Sequence, residues 1–474
     1  MKILLVEDDL NIIEIIATEL AGGQVDLTIA RSRDAGIGAL AGETYDLIVC
    51  DLKLPPQDGA LDIEIEHGLS MYSAAADRCP GVPILFFSAF ATVDFLTELL
   101  RNAQKKDIFG SGQPYQLIDH VKKGNLTDCL RRIGAFTDEL NRLQTIEIAT
   151  GIKPVQLDNV EKRILRIFSR RLGGTIVEVS ELSGGLSDAH TLRVLVKDGN
   201  GTVISRAVAK INLLRHVSEE HVQFRKHVSP ILPIGSYTDY TDIVDCGTGQ
   251  KGALFYKLAD GFDRSLFKMI ADEPASAATC IAQLRNASAK WCTGYPTITT
   301  KVSAIRQLFV GDKDFERLGE FLEQIDWRNV ESRDVQARIC PQHGDLHGAN
   351  VLVRTFEHVV MIDFGSVGRF PACLDPIALE LSLLFHPEGH EIVKDWPSAA
   401  NAEHWNDLDK YLEKCPQAAY VRACREWAVQ LSAGSRELYA TVYGFCIKQL
   451  GYKDTDKDLA LRIIQCAIDA FNAT

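Results

Sequence analysis

Four short apolar runs in the first 125 residues each end on a polar or charged group. "KILLV" (2–6) leads into Glu7, "YDLIVCD" (45–51) ends at Asp51, "VPILFFSA" (82–89) carries Ser88, and "PYQLIDHVKK" (114–123) ends in Lys122 and Lys123. Runs that stay apolar at successive positions predict strands buried on both faces, as in a parallel sheet. Stretches of helical period lie between them, such as 11–21 and 126–144. The alternation predicts a doubly wound α/β sheet with its functional groups at the carboxyl ends of the strands. The period fades in "EIATGIKPVQLDN" (147–159), which carries a Gly and a Pro, so a linker is placed at 146–158. A helix then reads through "NVEKRILRIFSRRL" (159–172) and is stopped by Gly173 and Gly174. Strand signals follow at 175–182, at 189–211 with a turn at Asp198–Gly201, and at 252–259. Beyond about 263 the pattern is mainly helical, interrupted by a loop-rich stretch from 340 to 376.

Composition narrows the class. Hydrophobic residues make up 46% of the 474 positions and charged residues 24%, the balance of an ordinary globular protein. The formal net charge is -13, and residues 1–150 hold 13 Lys+Arg against 23 Asp+Glu, so the remainder is nearly neutral. Neither part offers the basic face that nucleic-acid binding needs, and none is expected. The twelve cysteines are scattered with no C-x-x-C pair, which predicts free thiols in a reducing compartment. "MKILLVEDD" reads as a strand rather than a signal peptide, and no apolar run reaches membrane length. A cytoplasmic protein without a membrane partner is expected.

Glu7, Asp8, Asp9 and Asp51 crowd one sheet edge, and carboxylates so placed call for a hard divalent cation such as Mg²⁺. An Asp beside a cation and a lysine can accept a phosphoryl group. Over roughly residues 1 to 130 this set resembles the receiver domain of two-component response regulators, a flavodoxin-like fold. The resemblance implies Asp51 as phosphoacceptor, Asp8 and Asp9 as the acidic metal pocket, Ser88 as switch hydroxyl, His120 at the aromatic switch position and Lys123 as phosphate-sensing lysine. It also implies a cognate histidine kinase and allows a homodimer through the receiver. Three features depart from the pattern: a long stretch after the acceptor (59–72), a lengthened passage at 101–116, and Gly124 in place of a proline, which leaves Lys122 as a rival to Lys123.

A second set lies in "HGDLHGANVLV", where the spacing from Asp345 to Asn350 matches the loop H-x-D-x-x-x-x-N, and Asp363 follows in "MIDFGS". In phosphoryl transfer such an Asp345 orients an acceptor hydroxyl and takes its proton, while Asn350 and Asp363 bind Mg²⁺ on the nucleotide phosphates. Upstream, Gly184 and Gly185 offer backbone amides, and "AVAKI" resembles the V-A-I-K strand of kinases, which implies Lys210 as the phosphate-holding lysine with Glu220 (or Glu219) as its ion-pair partner. "FYKLADGF" offers Tyr256 to Leu258 as a hinge toward a nucleotide base. The set resembles the aminoglycoside phosphotransferase and choline kinase-like branch of the protein kinase-like fold, over roughly 160 to 474. That implies a bilobal α+β domain with a lobe at 159–262 and a helical lobe at 263–474, His343 as loop brace, Asp375 as a further bracing acid, and ATP or another nucleoside triphosphate with Mg²⁺. "HPEGH" (386–390) reads as a helix-capping loop rather than a metal site. The expectation is a phosphotransferase acting on an alcohol group of an unknown acceptor under control of Asp51; the competing one is an inactive kinase-fold scaffold that binds nucleotide or a partner protein.

Overall fold

The computed structural model describes residues 1–23, 25–89, 105–151, 153–181, 189–257, 264–354 and 358–474. Contacts divide the chain into two compact units, Met1–Ser218 with Tyr240–Leu258, and Glu219–Asp239 with Ala259–Thr474.

The first unit opens with β1 (Lys2–Val6), α1 (Leu10–Leu20), β2 (Asp26–Ala30), α2 (Arg33–Gly42), β3 (Leu47–Cys50), α3 (Ile65–Arg78) and β4 (Ile84–Phe87). After residue 104 come β5 (Lys105–Lys106), β6 (Tyr115–Gln116), β7 (Ile118–Val121) and α4 (Leu126–Gln144). The strands form a parallel sheet in the order β2-β1-β3-β4-β7. The unbroken apolar runs follow from burial on both faces: Ile3, Leu5, Val49 and Leu85 pack on one side, and Leu4, Val6, Ile48 and Phe86 on the other. Helix α4 buries Cys129, Ile133, Phe136, Leu140 and Leu143, a stripe at alternating spacings of four and three. The lengthened passage becomes a β5–β6 ribbon, and its Phe109 meets Tyr115 and Phe136 edge to face.

A second sheet follows. It comprises β8 (Glu147–Thr150), β9 (Ile176–Glu181), β10 (His190–Lys197), β11 (Val203–Leu213), β12 (Tyr240–Val244) and β13 (Lys251–Lys257), with α5 (Asn159–Arg171) before β9 and α6 (Leu214–His227) after β11. The order is β12-β13-β11-β10-β9-β8. The stretch 146–158, expected as a linker, carries regular structure at its start. Residues 147–150 pair in parallel with β9, and Ile146 and Val155 belong to the core beneath the sheet. The strand is only four residues long and its two outer positions are exposed, so it carries too little pattern to be read. Helix α5 starts on a capping box from Asp158 and Glu161, and its Phe168 stacks on Phe255 at 3.8 Å between centroids.

The two sheets of this unit are packed together. Gly247 N–H donates to the Gly81 carbonyl at 3.0 Å, and a Cβ on Gly81 would lie 2.8 Å from Cys246 Cα. Arg163 of α5 pairs with Asp46, Arg170 donates to Glu139 at 2.8 Å, and Arg171 reaches the Asp107 carbonyl at 3.0 Å and the Asp242 carboxylate at 2.8 Å. Lys106 pairs with Asp245 at 2.9 Å.

The second unit contains two small antiparallel sheets. One is built from β14 (Arg264–Ser265), β17 (Val351–Val353) and β18 (Val359–Met361); the other from β15 (Thr297–Lys301), β16 (Asp334–Gln342) and β19 (Gly368–Pro371). Its main helices are α7 (Leu266–Asp272), α8 (Pro274–Ser288), α9 (Leu374–Phe385), α10 (Pro387–Val393), α11 (Ala418–Leu431), α12 (Ser435–Leu450) and α13 (Lys457–Ala473). Helix α9 is buried on nearly all sides, and its Glu380 pairs with Arg425 of α11 at 2.6 and 2.8 Å beneath Trp405. "HPEGH" is helical from Pro387 on, because proline is tolerated at the first helical position, and His386 Nδ1 caps the start by accepting from Glu388 N–H. No described helix is long and apolar enough to cross a membrane.

Candidate functional site

The parallel sheet reverses direction of growth between β1 and β3, and a crevice opens there at the strands' carboxyl ends. Glu7 follows β1 and Asp51 follows β3, and both are buried. Glu7, Asp8 and Asp51 each offer an oxygen within 4.8 Å of the others. Three converging carboxylates fit a hard divalent cation, which these oxygens would hold. Lys123, after β7, donates to Glu7 at 2.8 Å and pairs with Asp51 at 2.5 Å. Burial works against the charge on Lys123, yet its bonds to Asp51 and Glu7 hold its pKa above the usual lysine range. Burial pushes Glu7 up to about 7 in spite of Lys123.

Two sequence assignments sort themselves by position. Lys122 is exposed while Lys123 enters the site. Asp9 lies outside the acid cluster: it is exposed, and its carboxylate caps α1 by accepting from Asn11 N–H at 2.9 Å. Glu7 takes the place in the cluster that had been given to Asp9. The signal was present, since an Asp just before the first apolar-periodic residue is a helix N-cap. Ser88 is buried after β4, and its N–H donates to the Val121 carbonyl at 3.1 Å. His120 sits on β7, half-buried, and burial lowers its pKa.

In the second unit, β16 delivers the chain into the loop 343–350 and the β17–β18 hairpin brings it back. His343 is fully buried; its Nε2 lies 2.9 Å from the Ile362 carbonyl and its N–H donates to Asp375 at 2.8 Å. Gly344 N–H donates to the same carboxylate at 3.1 Å. Burial pushes Asp375 up to about 7 against those two donors. Gly344 has φ +81°, and a Cβ there would fall onto the Ser366 carbonyl, so only glycine fits.

Asn350 Nδ2 donates to the Asp345 carbonyl at 2.9 Å, and Ile362 N–H donates to the Asn350 carbonyl at 3.0 Å. Val351 pairs with Met361, so Asn350 and Asp363 flank the hairpin at its open end. The Asp345 side chain is about half exposed, with His347 Nε2 at 3.8 Å. Asp363 holds φ +61°, a left-handed conformation that costs a non-glycine residue energy. The next residue, Phe364, is fully buried between Phe224 at 5.4 Å and His343 at 5.0 Å. The left-handed turn thus sends Phe364 into the interior. His347 and His386 lie 4.6 Å apart, and burial first, then His347, lowers His386 to about 4.

Of the upstream residues, Lys210 is half-buried on β11, where it pairs across to Thr191 and Leu254. Glu220 is buried on α6 and Glu219 is exposed, which favours the former for any internal role. Tyr256 is buried on β13 beside Tyr240. Gly184, Gly185 and Leu258 lie outside the described residues.

No family model matches the chain. The response regulator protein FleR of Pseudomonas aeruginosa is 28% identical over 122 residues, covering 26% of this chain and 24% of that protein. The transcriptional regulatory protein ZraR of Salmonella typhimurium is 26% identical over 101 residues, 21% of each chain. The chain therefore spans about a quarter or less of the length of these relatives. Among solved structures, a CheY-like receiver domain protein from Methanospirillum hungatei is 21% identical, covering 30% of this chain and 97% of that one with a TM-score of 0.22. The receiver domain of NtrX from Brucella abortus is 20% identical over 28% and 94%, with a TM-score of 0.21. On the sequence similarity and on the parallel sheet that gathers Glu7, Asp8, Asp51 and Lys123, the N-terminal part of this chain is a response-regulator receiver domain.

Proposed function

We propose that this receiver controls a nucleotide- and Mg²⁺-dependent phosphotransferase formed by residues 159–474, with a histidine kinase as its phosphodonor partner. The likeness to FleR and ZraR is confined to the receiver, so the output rests on the rest of the chain, whose near-balanced charge suits a small or protein acceptor better than nucleic acid. The observation that carries the reading is the joining of Asp345, Asn350 and Asp363 through the β17–β18 hairpin, with a strained backbone at Asp363. Strain of that kind is kept where a side chain has to be aimed.

In this reading Asp345, exposed and facing solvent, accepts the proton of an alcohol acceptor. Asn350 and Asp363 would hold Mg²⁺, which would neutralise charge on the nucleotide phosphates. His343 with Asp375 keeps the loop in position. The test is thermal stabilisation by ATP and Mg²⁺ together with turnover on a panel of alcohol acceptors. The expected result is a shift that Asp363→Ala abolishes, and turnover that Asp345→Asn removes while the shift remains. A full shift in Asp363→Ala would overturn the site.

A further inference from the structure

At the base of the loop 343–350, two thiols lie in contact. Cys292 closes the short helical turn Ala289–Cys292, and Cys340 sits in β16, three residues before His343. Their sulfurs are 3.1 Å apart. Gln342 Nε2 faces both, at 3.6 Å from Cys292 and 3.4 Å from Cys340, while donating to the Pro341 carbonyl at 2.7 Å. Cys340 is fully buried. Cys292 is half-buried and lines a cavity of about 180 Å³ with Arg285, Ser288, Gln342 and Trp427, so a small oxidant can reach one sulfur of the pair.

We propose that Cys292 and Cys340 are a modification site, closing to a reversible disulfide when the chain meets a hydroperoxide, with Cys292 the first thiol to react. The pairing favours that order. The bond shared with Cys340 holds the Cys292 thiol below its ordinary pKa, and the same bond, with burial, pushes Cys340 up. A thiolate is the nucleophile toward peroxide. Burial raises the thiols of Cys50, Cys129, Cys246 and Cys373, which keeps them protonated and slow.

The steps balance as follows. The Cys292 thiolate attacks the terminal hydroxyl oxygen of the peroxide; the S–O bond forms, the O–O bond breaks, and the departing alkoxide, or hydroxide from hydrogen peroxide, leaves as the alcohol or as water after taking a proton. Cys340 sulfur then attacks the sulfenic sulfur; the S–S bond forms, the S–O bond breaks, and the Cys340 proton leaves in water. Two thiols are oxidised by two electrons and the hydroperoxide is reduced. The product ties the 289–292 turn to the strand that feeds the loop 343–350, and it removes the thiol proton next to Gln342.

The experiment titrates the full-length chain with hydrogen peroxide, blocks free thiols, and maps an unreduced digest by mass spectrometry. The expected result is a Cys292–Cys340 cross-linked peptide as the first oxidised product, with two thiols lost together and both restored by dithiothreitol. In Cys340→Ser the sulfenic acid should persist on Cys292 and be trapped by dimedone. Cys292 passing to the sulfinic acid while Cys340 stays free, or a different pair linking first, would overturn the proposal. Neither nucleotide nor acceptor enters this test, so its outcome is separate from that of the proposed activity.

Discussion

Glu7 and Asp9 stand two positions apart and have opposite surroundings. The chain turns out of the sheet at Glu7, which buries its carboxylate against Lys123, whereas Asp9 faces solvent and holds the first turn of α1. Removing each should therefore do different things. Asp9→Ala is expected to lower stability by about 1 kcal/mol through the lost cap while leaving Mg²⁺-dependent labelling of Asp51 by acetyl phosphate intact. Glu7→Gln is expected to weaken the labelling, and Asp51→Ala to abolish it; loss of label in Asp9→Ala would return Asp9 to the cation set. Asp375 gives a pH signature. Its folded pKa of about 7 lies above the ordinary 3.8, so the folded chain holds an extra proton between those values. The contribution is complete below about pH 4 and is lost as pH rises through about 7, with a slope of at most about 1.4 kcal/mol per pH unit. Denaturant midpoints from pH 5 to 8 should fall more steeply for the wild type than for Asp375→Asn. Parallel curves would mean the carboxyl is ionised throughout.

At the scale of elements, what the sequence disclosed depended on how many residues carried each pattern. Four of the five receiver strands were legible because both of their faces are buried, whereas β2, with exposed positions, was not read; α4 was legible because nineteen residues repeat one stripe. Strands β8 and β12 escaped notice: four or five residues with exposed positions carry no period that survives the Gly and Pro around them. In the second unit the motif residues of 343–350 and 363 were legible by spacing, but their joining through Asn350 and Ile362 is a property of hairpin register that spacing does not encode. Glycine provides a test of that loop. Gly344 and Gly112 both have positive φ, +81° and +75°, yet only Gly344 has backbone where a Cβ would stand. Gly112→Ala is expected to cost about 1 kcal/mol of backbone strain. Gly344→Ala should cost several-fold more in a melting experiment and erase any ATP-induced stabilisation. Equal costs would show that Ser366 can move aside.

At the scale of the first unit as a whole, the receiver is built into its neighbour rather than tethered to it. Cys246, from the β12–β13 turn, sits in the same core as Ile108, Phe109 and Phe136, and one helix, α5, sends Arg163, Arg170 and Arg171 to Asp46, Glu139 and Asp107. A fragment beginning at residue 155 would lose the edge strand β8 together with Leu143 and Ile146, which help cover the core of the six-stranded sheet, so control by the receiver has to be tested in the full chain. The segment 105–112 is the natural route for a signal, because it meets the second sheet through Lys106, Asp107, Ile108 and Gly110. A ligand at Asp51 shifts an equilibrium only by its differential affinity for two states, which in coupled sites is about 1–3 kcal/mol or roughly 5- to 150-fold. With beryllofluoride and Mg²⁺ present, amide exchange at 105–112 and at 244–251 should change by a factor in that range, and the change should vanish in Asp51→Ala. Beryllofluoride bound at Asp51 with unchanged exchange in both segments would mean that the shared core transmits nothing and serves only to hold the two sheets together.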